Sequence, residues 1–320
     1  MKFLLTIAAL FITTLCFSQK QNVYFLKNNG MYVETRDSAD YIRIISEPDS
    51  ASTLYNVSEF YIGGKQRLIG KSITVDPPRY EGKCLSYFPN GLKMSIANFT
   101  NGARSGLQYR FFPNGKPYLV EEFAADGQTD NRFRDYQIKA CYDSLGTTLA
   151  ENGNGYVKIY DDDFKAIFEE GAIKDGKHDG NWKGYESKRK VTFFENYSDG
   201  KLVSGTAKYN DGSTSTYSNS RGTQPEFRGG IPSFGQYLSA NIRYPNDERR
   251  AGIEGRVVLT FIVEKDGSVS DVRVSKSASP GLDEEALRVI KKSAHWIPGT
   301  LYGKPVRVAY SVPVSFKLEK

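Results

Sequence analysis

The feature that most limits what this chain can fold into is a self-similarity in its middle, at a period of 24 to 25 residues. Ser86-Tyr87-Phe88-Pro89-Asn90-Gly91 returns as Arg110-Phe111-Phe112-Pro113-Asn114-Gly115, and Gly82 with Gly106, then Phe99 with Phe123, keep the same offset of 24. Gly155, Gly180 and Gly205 step by 25, and Asp175-Gly176-Lys177 recurs as Asp199-Gly200-Lys201. Glu59-Phe60-Tyr61-Ile62-Gly63-Gly64-Lys65 reads as an earlier, degenerate copy, so the array spans residues 55–218. Each unit holds an aromatic strand, a Pro-Asn-Gly or Asp-Gly turn, a second strand ending in an aromatic, and a second turn. That is the pattern of a β-hairpin. One hairpin is marginal alone, so neighbours in the stack must supply its core.

Composition fits this reading. The 320 residues include 30 Gly, 21 Tyr and 19 Phe, the residue types that short aromatic hairpins with tight turns require. At 39% hydrophobic and 25% charged the chain is globular in character, and its mean hydropathy of −0.49 leaves no case for a polytopic membrane protein. Two His and three Cys, with no CxxC and no HxxxH, argue against a zinc site. Of the net charge of +6, residues 226–320 carry +4, and no block of Lys and Arg marks a nucleic-acid surface. No nucleic acid and no small-molecule cofactor is expected.

Lys2 and the apolar run from Phe3 to Phe17 have the form of a secretory signal, too short for a spanning helix of roughly 20 residues. Cleavage is placed after Ser18, which makes residues 1–18 a signal peptide and the periplasm or cell envelope the expected location. A lipid anchor at Cys16 and a retained signal anchor are the alternatives. Cleavage leaves Cys84 and Cys141, in different repeats, either as two buried thiols or as a disulfide. Residues 19–54, with alternation around Val23 to Leu26 and Tyr41 to Ile45, read as an N-terminal β cap.

In period and residue type the array resembles MORN-type repeats (membrane occupation and recognition nexus), which implies scaffolding or surface contact, with Asn131 to Asn154 as an irregular insertion. Asp161-Asp162-Asp163 lacks EF-hand spacing and reads as a solvated turn rather than a calcium site. His178 lies in a turn with no partner histidine. Ser213 to Gln224 is rich in Ser, Thr, Asn and Gly and reads as a linker, with residues 219–229 as the boundary segment.

Residues 230–320 follow a different rule. Phe234 to Ile242 is amphipathic and stops before Tyr244-Pro245, and Asn246 to Ala251 makes a short polar helix. Arg256 to Val263 is a β-branched strand that turns at Lys265-Asp266-Gly267 into Val269 to Ser275. Ser279-Pro280 opens a helix, with Asp283, Glu284 and Glu285 near its start and Leu282, Ala286, Val289, Ile290 and Ala294 on one face. Trp296 and Pro298 end it, and Pro305 to Leu318 forms a last strand in which Val306, Val308, Tyr310, Val312, Val314 and Phe316 share a parity. Pro313 within it favours a sheet edge.

The words Tyr244-Pro245, Arg250-Ala251-Gly252-Ile253-Glu254-Gly255, Asp266-Gly267-Ser268-Val269, Leu282-Asp283-Glu284-Glu285-Ala286, Trp296-Ile297-Pro298-Gly299 and Gly303-Lys304-Pro305-Val306, in this order, resemble the TonB C-terminal domain. Pro225-Glu226-Phe227-Arg228-Gly229-Gly230 is similar to the lead-in of such domains. The resemblance implies capture of a short peptide, the TonB box of an outer-membrane receptor, by strand addition. Carried onto this chain, the peptide-binding residues are Asn241, Tyr244, Pro245, Val306, Arg307, Val308, Ala309, Tyr310, Ser311, Val312, Val314 and Ser315. For Tyr244 and Trp296 plain core packing is the competing role. Another envelope protein, or a second copy pairing through the same edge strand, would satisfy the same chemistry.

Together these readings predict a mainly β chain with a C-terminal α+β module: a stacked β-hairpin repeat array followed by a TonB-like two-helix, three-stranded antiparallel domain. An energy transducer needs a retained membrane helix and a Pro-rich spacer, whereas here thirteen Pro are scattered and the array takes the spacer's place. A non-enzymatic exported binding protein is therefore the leading expectation, and an energy transducer in transmembrane transport the alternative. A hydrolase is disfavoured because His178 and His295 belong to no nucleophile motif such as GxSxG.

Overall fold

The computed structural model describes residues 20–124, 136–293 and 296–318, and the chain divides into two compact units. One holds residues 1–157 with 173–177, the other 158–172 with 178–320. The signal peptide, His295 and Ala294 lie outside the described residues. Among the described residues no helix is long and apolar enough to cross a membrane.

The first unit is an antiparallel meander. Its strands Gln21–Leu26, Tyr41–Ser46, Tyr55–Tyr61, Gln66–Ser72, Tyr80–Tyr87, Lys93–Thr100, Ala103–Phe111, Pro117–Phe123 and Tyr136–Tyr142 each pair with the next. The two strands expected in residues 19–54 join this ladder, with Tyr41–Ser46 pairing along its length with Tyr55–Tyr61. The offset of the sequence words is an offset of turns. Phe88 N–H donates to Leu92 O and Gly91 N–H to Phe88 O, and Phe112 repeats both bonds with Lys116 and Gly115, all at 2.8 Å. Gly91 and Gly115 take φ of 92° and 83°, a conformation that favours glycine. Within Asn131 to Asn154 the described part is regular rather than irregular. Tyr136–Tyr142 and Thr148–Glu151 pair around a turn in which Asp143 Oδ1 accepts from Leu145 N–H at 2.9 Å and Thr147 N–H at 2.8 Å.

Leu26, Tyr41, Ile45, Val57, Tyr118, Leu119 and Ile138 are buried in this unit, and so is Glu59. A carboxylate can be buried when it is paired and hydrogen-bonded. Arg43 Nε donates to Glu59 Oε1 at 2.8 Å, Arg67 donates to its other oxygen, and the Tyr80 hydroxyl lies 3.4 Å away. Cys84 and Cys141 are both buried as thiols, and burial pushes the Cys84 thiol up to about 11.

The second unit holds the last hairpins and residues 230–320. The Asp161 run forms a turn in which Phe164 N–H donates to Asp161 O at 3.0 Å and Lys165 N–H to Asp161 Oδ1 at 2.7 Å. Strands Lys177–Glu186, Val191–Ser198, Lys201–Tyr209 and Thr214–Tyr217 pair in sequence. Here the pairing of Gly with aromatics has a steric cause. Gly184 stands opposite Phe193 and Gly205 opposite Tyr217, and a Cβ on either glycine would enter the ring. Trp182 lies over Gly171 in the same way and donates Nε1–H to Ala172 O at 2.8 Å.

The C-terminal part contains α1 (Gly230–Asn241), α2 (Asn246–Ala251), α3 (Pro280–Lys291) and a three-stranded antiparallel sheet, with Gly255–Val263 between Val269–Lys276 and Val308–Phe316. The short polar helix expected over Asn246–Ala251 is present between Pro245 and the left-handed Gly252, φ 66°, so the domain has three helices although the two-helix description counted one fewer. Ser279 caps α3, its hydroxyl accepting from Leu282 N–H at 3.3 Å, with Pro280 in the first turn. Leu282, Ala286, Val289 and Ile290 are buried, and each large side chain contributes about 1.5–3 kcal/mol by leaving water. Trp296 is central to this core. It meets Phe227, Phe234, Phe261 and Tyr310 at 5.2 to 5.6 Å and donates Nε1–H to Ser293 Oγ at 3.1 Å.

The expected linker is structured. Thr214–Tyr217 extends the hairpin sheet, Gly222–Thr223 pairs with Thr300–Leu301, and Arg221 Nη2 donates to Glu169 Oε2 at 2.6 Å and Glu195 Oε2 at 2.5 Å.

Candidate functional site

The last strand begins at Val308 rather than Pro305. Lys304–Pro305 instead pairs with Thr300–Leu301, and Val306 N–H donates to Gly299 O at 2.9 Å. The strand follows Gly255–Val263 in unbroken register from Val263↔Val308 to Gly255↔Phe316. Among the described residues its other side pairs with no strand, so it is a sheet edge, as Pro313 required.

Pro313 also fixes the phase of that edge. It lacks an N–H, so its pairing with Val258 is of the non-hydrogen-bonded kind, and residues of its parity turn their main-chain groups away from the central strand. Ala309, Ser311 and Ser315 therefore direct N–H and C=O to the open side, and Pro313 contributes only its C=O. The alternate residues spend their main chain on the sheet and their side chains on the core. Val312, Val314 and Phe316 are buried, and Val308 and Tyr310 are half-buried. The expected residues thus separate by parity into an outward set that can bond a partner and an inward set that holds the strand straight.

Both ends of the strand are tied. At its start Arg307 Nε donates to Glu264 Oε2 at 2.7 Å and Nη2 to Oε1 at 2.9 Å, and Ser270 Oγ donates to Oε1 at 2.6 Å. The hydrogen bonds from Arg307 and then Ser270 hold the Glu264 carboxyl below the usual range. Toward its far end the Tyr244 ring meets Phe316 edge-on at 5.9 Å, and its hydroxyl donates to Ile253 O at 2.5 Å. Pro245 caps α2, its carbonyl accepting from Arg249 N–H at 3.0 Å. Asn241 ends α1, its side-chain amide donating to Tyr237 O at 2.8 Å and its main-chain carbonyl accepting from Arg288 on α3 at 2.7 Å. The opposite edge, Val269–Lys276, is bulged in two places, and Asp271 takes a φ of 51°. Such irregularity blunts an edge against pairing.

Sequence reasoning did not single out Arg256, whose Nε donates to Ser315 Oγ at 3.4 Å beside the open side, nor Arg221 and Tyr302. Arg256 was legible in principle, as a charge on the outward parity of a strand. No group of three His, Cys, Asp or Glu among the described residues could hold a metal ion.

Residues 240–318 match the family model described as Gram-negative bacterial TonB protein C-terminal. This segment is a TonB C-terminal domain. The chain is 35% identical over 85 residues to Protein TonB of Helicobacter pylori (strain ATCC 700392 / 26695), covering 26% of this chain and 28% of that protein. To Protein TonB of Vibrio cholerae serotype O1 it is 36% identical over 78 residues, 24% of this chain and 32% of that one. It therefore spans about a third or less of the length of these relatives. An NMR solution structure of Helicobacter pylori TonB-CTD is 33% identical, covering 28% of this chain and 81% of that chain with a TM-score of 0.24. In this TonB module the edge at Val308–Phe316 lies inside the matched segment.

Proposed function

We propose that this is an exported, non-enzymatic protein of the cell envelope. Its TonB module captures a peptide segment of an outer-membrane receptor, or of another envelope protein, by strand addition along Val308–Phe316, and the MORN-like hairpins serve as scaffold. The observation that carries this reading is the phase of the edge: Ala309, Ser311 and Ser315 offer unspent main-chain groups, and the neighbours between them are locked in the core. Main-chain bonds along such an edge give affinity whatever the partner's sequence, and the flanking side chains give selectivity. Blunting of the Val269–Lys276 edge favours a single docking side. The apolar run from Phe3 to Phe17 supports export.

Energy transduction in transmembrane transport is the second reading, favoured by the match to relatives named Protein TonB. The test is photo-crosslinking in intact cells from a benzophenone side chain placed at Ala309 or Ser315, with identification of what is captured. An envelope protein crosslinked from both positions supports capture. A second copy of this chain as the sole product would replace capture with edge-to-edge dimerisation, and no specific product would defeat both. An uncleaved N-terminus found in the inner membrane would favour transduction, and a mature start at Gln19 would count against it.

A further inference from the structure

The residues that lead into the edge are held by the hairpin sheet of the same unit. Tyr302 is 3% exposed. Its ring stacks on Phe193 at 5.5 Å with 20° between the planes and meets Tyr217 edge-on at 5.8 Å. With Val191, Phe193 and Ala207 it forms one buried cluster, to which Phe168, Tyr209, Tyr217 and Leu301 add. Its main chain is equally engaged: Tyr302 N–H donates to Arg221 O at 2.5 Å, and its carbonyl accepts from the Tyr209 hydroxyl at 3.0 Å and from Ser215 Oγ. Lys304 continues the attachment, with Nζ 3.5 Å above the Tyr209 ring and 2.6 Å from Ser213 Oγ. Only Val306 and Arg307 then separate Lys304–Pro305 from the strand.

Tyr302 holds a φ of 49°, a left-handed conformation that bulky side chains avoid, in a turn that glycine would make without strain. What tyrosine adds there over glycine is its ring. We infer that Tyr302 is a positioning residue for the capture edge: seated in the end of the hairpin sheet, it fixes where Val308–Phe316 begins and makes hairpins and edge mechanically continuous. A pull on a captured strand would pass through residues 300–305 into Phe193 and into Arg221, itself bound to Glu169 and Glu195. The functional meaning rests on the proposed capture, whereas the coupling is a property of the free protein and is measured without a ligand.

Amide hydrogen exchange on the full chain tests it. Tyr302→Gly keeps the left-handed turn and removes the whole side chain, Tyr302→Phe keeps the ring and removes the hydroxyl with its hydrogen bond to Glu186, and Phe193→Leu removes the other half of the stack. The expected result is exchange at 308–312 about tenfold faster in Tyr302→Gly and in Phe193→Leu, and a much smaller change in Tyr302→Phe, which keeps the stack, with α3 and Val269–Lys276 unchanged. Loosening confined to the hairpins, with 308–312 unaffected, would overturn the inference. So would equal acceleration in every strand and helix, which marks general destabilisation. If crosslinks from Ala309 find no partner while this exchange pattern holds, capture fails and positioning stands.

Discussion

Arg221 grips Glu195 with two parallel hydrogen bonds, Nε to Oε1 at 2.7 Å and Nη2 to Oε2 at 2.5 Å. The same Nη2 reaches Glu169 Oε2 at 2.6 Å, and the guanidinium lies 4.3 Å from the centroid of the Phe193 ring. Tyr197 and Tyr217 donate their hydroxyls to Glu195 at 3.0 and 2.7 Å. Two buried carboxylates share one cation, and that cation comes from the segment whose composition reads as a linker.

Removing the cation takes away the guanidinium that both buried carboxylates share. Arg221→Met is expected to destabilise the protein by about 3–5 kcal/mol at neutral pH, read from the thermal or urea midpoint. A loss under about 1 kcal/mol would show that the guanidinium does not carry the burial of these carboxylates.

Glycine opposite an aromatic ring should resist even one methyl group. Gly205→Ala drives a Cβ into the Tyr217 ring, and a cost of about 1–3 kcal/mol is expected. Gly63 has no atom within 4 Å of the position a Cβ would take, so Gly63→Ala should be neutral or slightly stabilising. Equal effects of the two changes in urea unfolding would contradict the steric account of the Gly and aromatic periodicity.

Acid should loosen the start of the edge strand. Glu264 is held below the usual carboxylate range by Arg307 and then Ser270. Its stabilising contribution is thus complete above the unfolded value of about 4.3 and is lost as pH falls through the lower folded value. NMR titration should place Glu264 below about 4.3, and Arg307→Gln should move it up toward that value. A Glu264 that titrates in the same place with and without Arg307 would show that the ion pair does not form in solution.

The phase of the edge predicts where proline is tolerated. Ser311 has the parity of Pro313, so Ser311→Pro removes an outward N–H and no main-chain bond of the sheet, only the side-chain bond from Ser311 Oγ to Leu259 O at 3.2 Å, and the thermal midpoint should change little. Val312→Pro removes a bond to Gly255–Val263 and disturbs a buried side chain, and should cost about 3 kcal/mol or more. The reverse order of stability would mean the strand pairs in the other phase.

Much of this was legible in sequence because it is local. The turns at Phe88 and Phe112, the cap at Ser279, the buried face of α3 and the edge position of Pro313 each follow from residues a few positions apart. The side-chain partnerships that were missed are non-local. Arg221 reads as linker because Ser, Gly and Thr surround it, and nothing nearby announces Glu169 and Glu195, which are 52 and 26 residues away. Tyr302 likewise looked like one more aromatic, since its ring partner Phe193 lies on a strand more than a hundred residues earlier. The final strand is shorter than its alternation suggested because Lys304–Pro305 is claimed by Thr300–Leu301.

The most direct measurement is crosslink yield from a benzophenone at Ala309 in intact cells, compared between the otherwise unchanged chain and Ser311→Pro. Strand addition along the outward phase predicts a specific envelope partner in the first and its loss, by tenfold or so, in the second, at equal protein level and thermal midpoint. An equal yield of the same partner in both would contradict capture by main-chain pairing at this edge.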